Sequence, residues 1–249
     1  MRTSIDLVFE DQDLLIINKP AQFLTIPDRH DPDKPNLYHV LQDLYGQVFV
    51  VHRLDFETSG IICFAKNEQA HRHLSQQFSK HSVIKTYRAF ITGLPVQPEG
   101  DIRLPIGEDP HRRGSMRVDY RFGKPAHSRY RIVEEFRHYS LVEVDIFTGR
   151  THQIRVHLQA IGHPLLVDPL YGKQSAFYVS SIKPKYKTKK FEEEAPLLAR
   201  TTLHAHSLTL LHPSRECEMS YSVPFPKDLN ALHNVLRKYD AAKIDNALR

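Results

Sequence analysis

Between the apolar runs Val48–Val51 and Ile61–Ala65 lies the polar stretch His52-Arg53-Leu54-Asp55-Phe56-Glu57-Thr58-Ser59-Gly60. A carboxylate on a loop held between two core strands is placed to act as a nucleophile or a base, and Asp55 is the candidate. The plainer alternative is an aspartate capping the turn to Thr58 and Ser59, a common occupation of this residue type. Asp55 with Glu57 also suggests the acid/base pair of a nucleic-acid N-glycosidase, if two residues on one loop reach the required separation. The 16 histidines invite a metal, since His204 and His206 share one side of a strand and His152 and His157 share a helix. Cys-x-x-Cys and His-Glu-x-x-His are both absent from the sequence, so no metal is expected.

The chain has 249 residues, 41% hydrophobic and 25% charged, which suffices for a packed core and excludes wholesale disorder. Two cysteines, Cys63 and Cys217, cannot build a disulfide framework or a four-thiolate site. No apolar run approaches the roughly 18 residues of a membrane span. The first thirty residues carry Asp6, Glu10, Asp11 and Asp13 in place of a secretory pattern, and a cytoplasmic location is the expectation. The net charge of +5 is uneven: residues 1–50 hold 4 basic against 8 acidic side chains, and the excess of basic residues lies beyond. From His111 to Arg131, seven Lys and Arg face only Asp119, and a second cluster runs from Lys183 to Lys190. Such clusters suit a phosphate backbone, although a solvated surface would show them too.

The elements that must position these residues follow from periodicity. Ile5–Glu10 and Leu14–Asn18 pattern as short paired strands, and Lys19-Pro20 forces an exit. Residues 27–36 are a loop by composition. Asn67 can cap a helix to about Lys80 with Ala70, Leu74 and Phe78 on one face. Ile84–Thr92 and Leu141–Phe147 alternate as strands, and a helix from about Thr151 turns Ile154, Leu158 and Ile161 inward. Residues 173–200 pattern as a surface excursion, Leu203–Leu211 as a strand, and Leu229, Leu232, Leu236 and Tyr239 as one face of a C-terminal helix. Strands with irregularly inserted helices indicate an α+β fold. The expected organisation is one catalytic domain, 1–226, followed by an amphipathic tail, 227–249.

His52-Arg53-Leu54-Asp55-x-x-Thr58-Ser59-Gly60 resembles the signature loop of the RluA-type pseudouridine synthases. Supporting segments stand in the family's order: Ile16-Ile17-Asn18-Lys19-Pro20, Lys85-Thr86-Tyr87, Gly123-Lys124-Pro125-Ala126, Thr148-Gly149-Arg150-Thr151-His152-Gln153-Ile154-Arg155, Leu203-His204-Ala205 and Leu211-His212-Pro213. The likeness spans roughly residues 7–226. It implies a mainly antiparallel, bent mixed sheet with helices and loops flanking an RNA-binding cleft. It also implies isomerisation of uridine to pseudouridine without metal or organic cofactor.

By that resemblance Asp55 works at the ribose, attacking the anomeric carbon or removing the 2′ proton. Arg155 pairs with it, and a guanidinium fork keeps a pocket carboxylate ionised. Tyr87 stacks on the uracil, and Arg53 helps displace the target base and fills its place. Lys124, Arg150 and the 111–131 run track phosphates. His52 is expected to be structural, and Glu57 stands where the motif is free. The expected partner is structured RNA, ribosomal or transfer, with no membrane and no obligatory protein; nothing demands more than a monomer. Many relatives carry an extra N-terminal RNA-binding domain, whereas here the first motif begins within about ten residues of Met1, so target selection is expected to fall to the catalytic domain. A hydrolase of the same bond and a silent RNA-binding module are the competing readings. RNA affinity should fall by orders of magnitude between about 50 and 200 mM salt in an equilibrium titration, and a flat response would remove RNA from the basic surface.

Overall fold

Apolar residues at consecutive or alternate positions, interrupted by Asn, Gly and Pro, set the element boundaries of the chain. The computed structural model describes residues 5–186 and 193–242. In chain order the elements are β1 (Asp6–Glu10), β2 (Leu14–Lys19), α1 (Leu37–Tyr45), β3 (Phe49–Val50), β4 (Ser59–Ala65), α2 (Glu68–Ser79) and β5 (Ile84–Thr92). Then come β6 (Glu99–Ile102), β7 (Ile106–Glu108), β8 (Met116–Val118), β9 (Ser128–Glu135), β10 (Tyr139–Ile146) and α3 (Gln153–Ala160). The chain continues with β11 (Leu203–Leu211), β12 (Glu218–Ser222) and α4 (Lys227–Tyr239). It divides into two compact units: Met1–Tyr87 with Asp145–Thr148 and Leu203–Pro224, and Arg88–Val144 with Gly149–Thr202 and Phe225–Arg249. The chain passes from one unit to the other within β5 and within β10.

The first unit is built on β4, whose seven residues are all buried, as are four consecutive residues, Leu14–Ile17, of its neighbour β2. β2 pairs antiparallel along one edge of β4 from Leu14↔Ala65 to Lys19↔Gly60. The other edge is shared. β3 takes its end, with Phe49↔Ala65 and Val50↔Phe64, and β11 takes its beginning, parallel, with His204↔Ser59 and Ala205↔Gly60. β1 extends the sheet beside β2, and β12 lies antiparallel to β11. Asn67 caps α2 through Ala70 N–H at 2.8 Å and also donates to Asp13, which ties the helix start to the β1–β2 turn.

In the second unit β10, β9 and β6 follow one another in the sheet, and β7 and β8 form a separate two-stranded ribbon. Its principal core gathers Phe90, Phe136, Leu166, Val167 and Phe177 with Leu229, Leu232 and Leu236 of α4. The C-terminal helix is therefore part of this unit's core. A smaller cluster, Ile106, Ala126, Val156 and Tyr171, seats the ribbon on α3.

Several boundaries differ from the sequence reading. The strand expected at Leu141–Phe147 runs over Tyr139–Ile146, and Ser140–Val144 are all buried. Glu143 tolerates this because Arg88 and Arg131 hold its two oxygens. The helix α1 was hidden by the polar loop before it, and Asn36 is its cap. Of the 173–200 excursion, residues 187–192, with Lys187, Lys189 and Lys190, lie outside the described residues; the described remainder contains one 3-10 turn, Val179–Ser181.

Gly60 has φ +115°, and a Cβ there would stand 2.1 Å from the carbonyl oxygen of Ala205. No side chain fits between β4 and β11, and the conformation itself excludes one. Gly60→Ala should destabilise the fold by more than about 3 kcal/mol in a urea titration, against about 1 kcal/mol for an average substitution.

Candidate active site

The shared edge of β4 explains where Asp55 sits. β3 stops opposite Phe64, and on the same edge β11 occupies Ser59 and Gly60, so a strand running on from β3 could pair no farther than Arg53 opposite Ile61. The chain leaves the ladder after Val50, and residues 54–58 could not have paired there. His52 bridges the break with its side chain, its Nε2 accepting the N–H of Cys63 at 3.1 Å while the ring stacks on Phe78 at 4.6 Å. Burial, and then the charge of Lys85, push the imidazole down to about 3, so it is neutral and its proton resides on Nδ1.

The displaced loop is pinned at several atoms. Thr25 Oγ1 accepts the N–H of Leu54 at 3.2 Å and donates to the Leu54 carbonyl at 2.9 Å. Thr58 N–H closes a turn on the Asp55 carbonyl at 3.1 Å, and Phe56 accepts from Phe23 N–H at 3.2 Å. Lys19, fully buried, points its ammonium at the carbonyls of Pro20 and Phe23, both at 2.8 Å, and of Phe56 at 3.4 Å. At the far end Ser59 Oγ bonds His204 Nδ1 at 3.0 Å, and His204 Nε2 reaches the Val223 carbonyl at 3.3 Å. A loop fixed this way presents its carboxylate at one place, as preorganised chemistry requires.

Asp55 is half-buried and Arg53 is exposed. Tyr87, 8% exposed, lies close enough to Asp55 that, after burial, the carboxylate's charge is the second cause raising its phenol above the ordinary range. The phenol therefore keeps its proton. Lys85 is buried with its ammonium 5.6 Å from the Phe78 ring centre, and burial pulls its pKa down. Thr86 faces away from that pair and donates to Asp145 at 2.6 Å.

Arg155, Lys124 and Arg150 belong to the second unit. Arg155, only 6% exposed, forks onto Asp168 with Nε and Nη2 at 2.7 and 2.8 Å, and its guanidinium stands 4.9 Å from the Tyr171 ring centre. Asp168 also accepts the N–H groups of Leu170 and Tyr171 at 2.9 and 3.0 Å. His152, at φ 54°, bonds the Tyr171 hydroxyl at 2.7 Å. Arg150 Nε donates to the Pro125 carbonyl at 3.0 Å, beside the exposed Lys124. The basic run is partly neutralised: Arg117 pairs with Asp119, Arg129 with Asp101 and Arg131 with Glu143.

Asp168 and Tyr171 were missed by the sequence reading. Their signal was present in Asp168-Pro169-Leu170-Tyr171-Gly172, an aspartate that can close a turn on the residues after it. A Cβ on Gly172 would meet the Asp168 carbonyl at 2.8 Å. Asp11, Asp13 and His212 lie together as a metal site would require, but their atoms are committed elsewhere. His212 bonds Asp11 through Nε2 and takes the N–H groups of Ser214 and Arg215 on Nδ1, while Asn67 and Ser214 occupy Asp13.

A family model described as RNA pseudouridylate synthase matches residues 13–160. The chain is 35% identical over 239 residues to the ribosomal large subunit pseudouridine synthase D of Neisseria meningitidis serogroup B, a match covering 94% of this chain and 62% of that protein. With the protein of the same name from Escherichia coli K12 it is again 35% identical over 239 residues, covering 94% of this chain and 71% of the relative. The chain belongs to the RNA pseudouridylate synthase family. Its reaction class is that of an isomerase converting uridine in RNA to pseudouridine. Two solved structures share the fold: human RNA Pseudouridylate Synthase Domain Containing 1, with TM-score 0.69, 24% identity and coverage of 97% of this chain and 98% of that one, and human RNA Pseudouridylate Synthase Domain Containing 4, with TM-score 0.70, 23% identity and 93% of each chain. Among the described residues no helix is long and apolar enough to cross a membrane.

The neutral His52 of the signature loop has a consequence for stability. In the unfolded chain its imidazole takes a proton at its ordinary 6.5, in the fold only at about 3. Between those values the unfolded state binds the extra proton, so His52's contribution is complete above pH 6.5 and is lost as pH falls toward about 3. Urea titrations across this window should show a slope of up to about 1.4 kcal/mol per pH unit from this residue. His52→Gln should flatten it.

Proposed function

We propose that this chain isomerises uridine in large-subunit ribosomal RNA, with Asp55 acting at the ribose of a nucleotide turned out of its stack. The observation that carries the reading is the signature loop itself, Asp55 on a segment pinned by Thr25, Lys19 and His204. The names of the relatives, ribosomal large subunit pseudouridine synthase D, support the choice of RNA.

The reaction breaks the bond from uracil N1 to the ribose, turns the base and rejoins it through C5. Asp55 either attacks the anomeric carbon or takes the 2′ proton, and both roles need the carboxylate ionised. Arg155 is the proposed guanidinium that keeps it so. Tyr87 is the proposed platform for the freed uracil. Its firmly held proton limits the hydroxyl to a relay, taking the C5 proton only as it passes its own onward. Arg53, exposed beside Asp55, takes the space of the displaced base, and Lys124 and Arg150 hold phosphates. No metal or organic cofactor enters these steps. Residues 1–226 form the proposed catalytic domain, with α4 completing the core of the second unit.

Ribosomal RNA labelled with tritium at uracil C5 tests this directly. The chain should release tritium in proportion to pseudouridine formed, with no free uracil. Free uracil would indicate a hydrolase, and binding without release a silent module.

A further inference from the structure

After the β8 strand the chain makes a short excursion, Tyr120-Arg121-Phe122, whose two rings are 79% and 76% exposed. Exposure of this extent is costly to keep unless something covers it. The excursion is not loose. The Asp119 carboxylate accepts the N–H groups of Arg121 and Phe122 at 2.9 and 3.0 Å, and its carbonyl accepts Gly123 N–H at 2.9 Å. Asp119 N–H donates to the Pro105 carbonyl at 2.9 Å, and a Cβ on Gly123 would stand 2.3 Å from the Asp119 oxygen. Lys124 then pairs with Ile106 in both directions, at 2.8 and 2.9 Å, and Ile106 is buried in the cluster that seats the ribbon on α3. The rings are thus held outward by a closed turn on an anchored ribbon.

The surroundings say what could cover them. Arg112, Arg113, Arg117, Arg121 and Lys124 are all exposed on this segment, and the Arg121 guanidinium stands 4.9 Å from the Phe122 ring centre. The carboxylate of Asp119 is consumed by the turn and by Arg117 at 3.4 Å. Apolar rings crowded by cations suit a polyanion that also has flat faces, which is single-stranded nucleic acid. A protein partner would have to desolvate several carboxylates of its own against these cations, whereas one nucleic-acid strand brings phosphates and base faces together. Bases within a duplex already cover one another, so only an unpaired or looped base offers a face.

We propose that Tyr120 and Phe122 form a stacking platform for an unpaired base of the substrate RNA, with Arg121 and Lys124 on the adjoining phosphates. The inference rests on the proposed RNA substrate and adds to it a requirement for a looped nucleotide at a fixed point on the second unit.

The probe is an RNA hairpin carrying 2-aminopurine in its loop, compared with a duplex of equal length carrying it paired. The protein should quench the looped base. Tyr120→Leu combined with Phe122→Leu should abolish that quenching and weaken loop binding roughly tenfold or more, with duplex affinity and melting temperature unchanged. The ring-preserving exchange Tyr120→Phe with Phe122→Tyr should bind as the parent does. Retained quenching in the leucine variant, equal losses on both RNAs, or failure of the ring-preserving exchange would each overturn the platform. Tritium release by the same unsubstituted protein is read separately: its absence with quenching intact would reject the reaction and leave the platform standing.

Discussion

One edge of one strand decides where the chemistry can be. β4 cannot be paired by β3 along its whole length, because β11 has taken the first two positions. Residues 54–58 therefore have no place on that edge, and this segment carries Asp55. An expelled loop would ordinarily be mobile. Here its backbone is recaptured by a hydroxyl, a buried ammonium and the main chain of the segment after β2. The cost is a buried lysine, tolerated because three carbonyls solvate its charge.

The same arrangement fixes protonation. Around the loop burial holds His52 neutral and, with the charge of Asp55, keeps the proton on Tyr87. In the second unit the buried Arg155 is balanced by Asp168, itself satisfied by two backbone N–H groups. Removing Asp168 would strip that guanidinium of its fork, and losing one member of a buried pair is far more costly than the pair is stabilising.

Much of this was legible in the sequence, for identifiable reasons. Strongly apolar or alternating runs, such as Ile84–Thr92 and Leu203–Leu211, appear as strands at their expected limits. Asn67 announced α2 because its side chain can cap only a helix that starts there. Short strands such as Glu99–Ile102 and Met116–Val118 left no trace, since a few residues paired at an edge need little apolar character. Within the site, Asp55 stood out as a loop carboxylate between core strands, while the roles expected of Arg53 and Tyr87 came from the resemblance of their segments to the family's motifs. Thr25 could not be found that way, because its role arises from a chain crossing, and the Asp168 segment showed the turn it closes but not the buried arginine it holds. The excess of charge in the 111–131 run was visible, but its partial neutralisation by Asp101 and Glu143 depends on strand pairing.

The central claim is that a single ionised carboxylate on the pinned loop does the work. The most direct measurement is the single-turnover rate of tritium release by Asp55→Asn, an isosteric change that removes the charge and leaves the loop its shape. The account predicts no detectable rearrangement, with RNA affinity and melting temperature close to those of the parent. Release at the normal rate from the amide variant would contradict it.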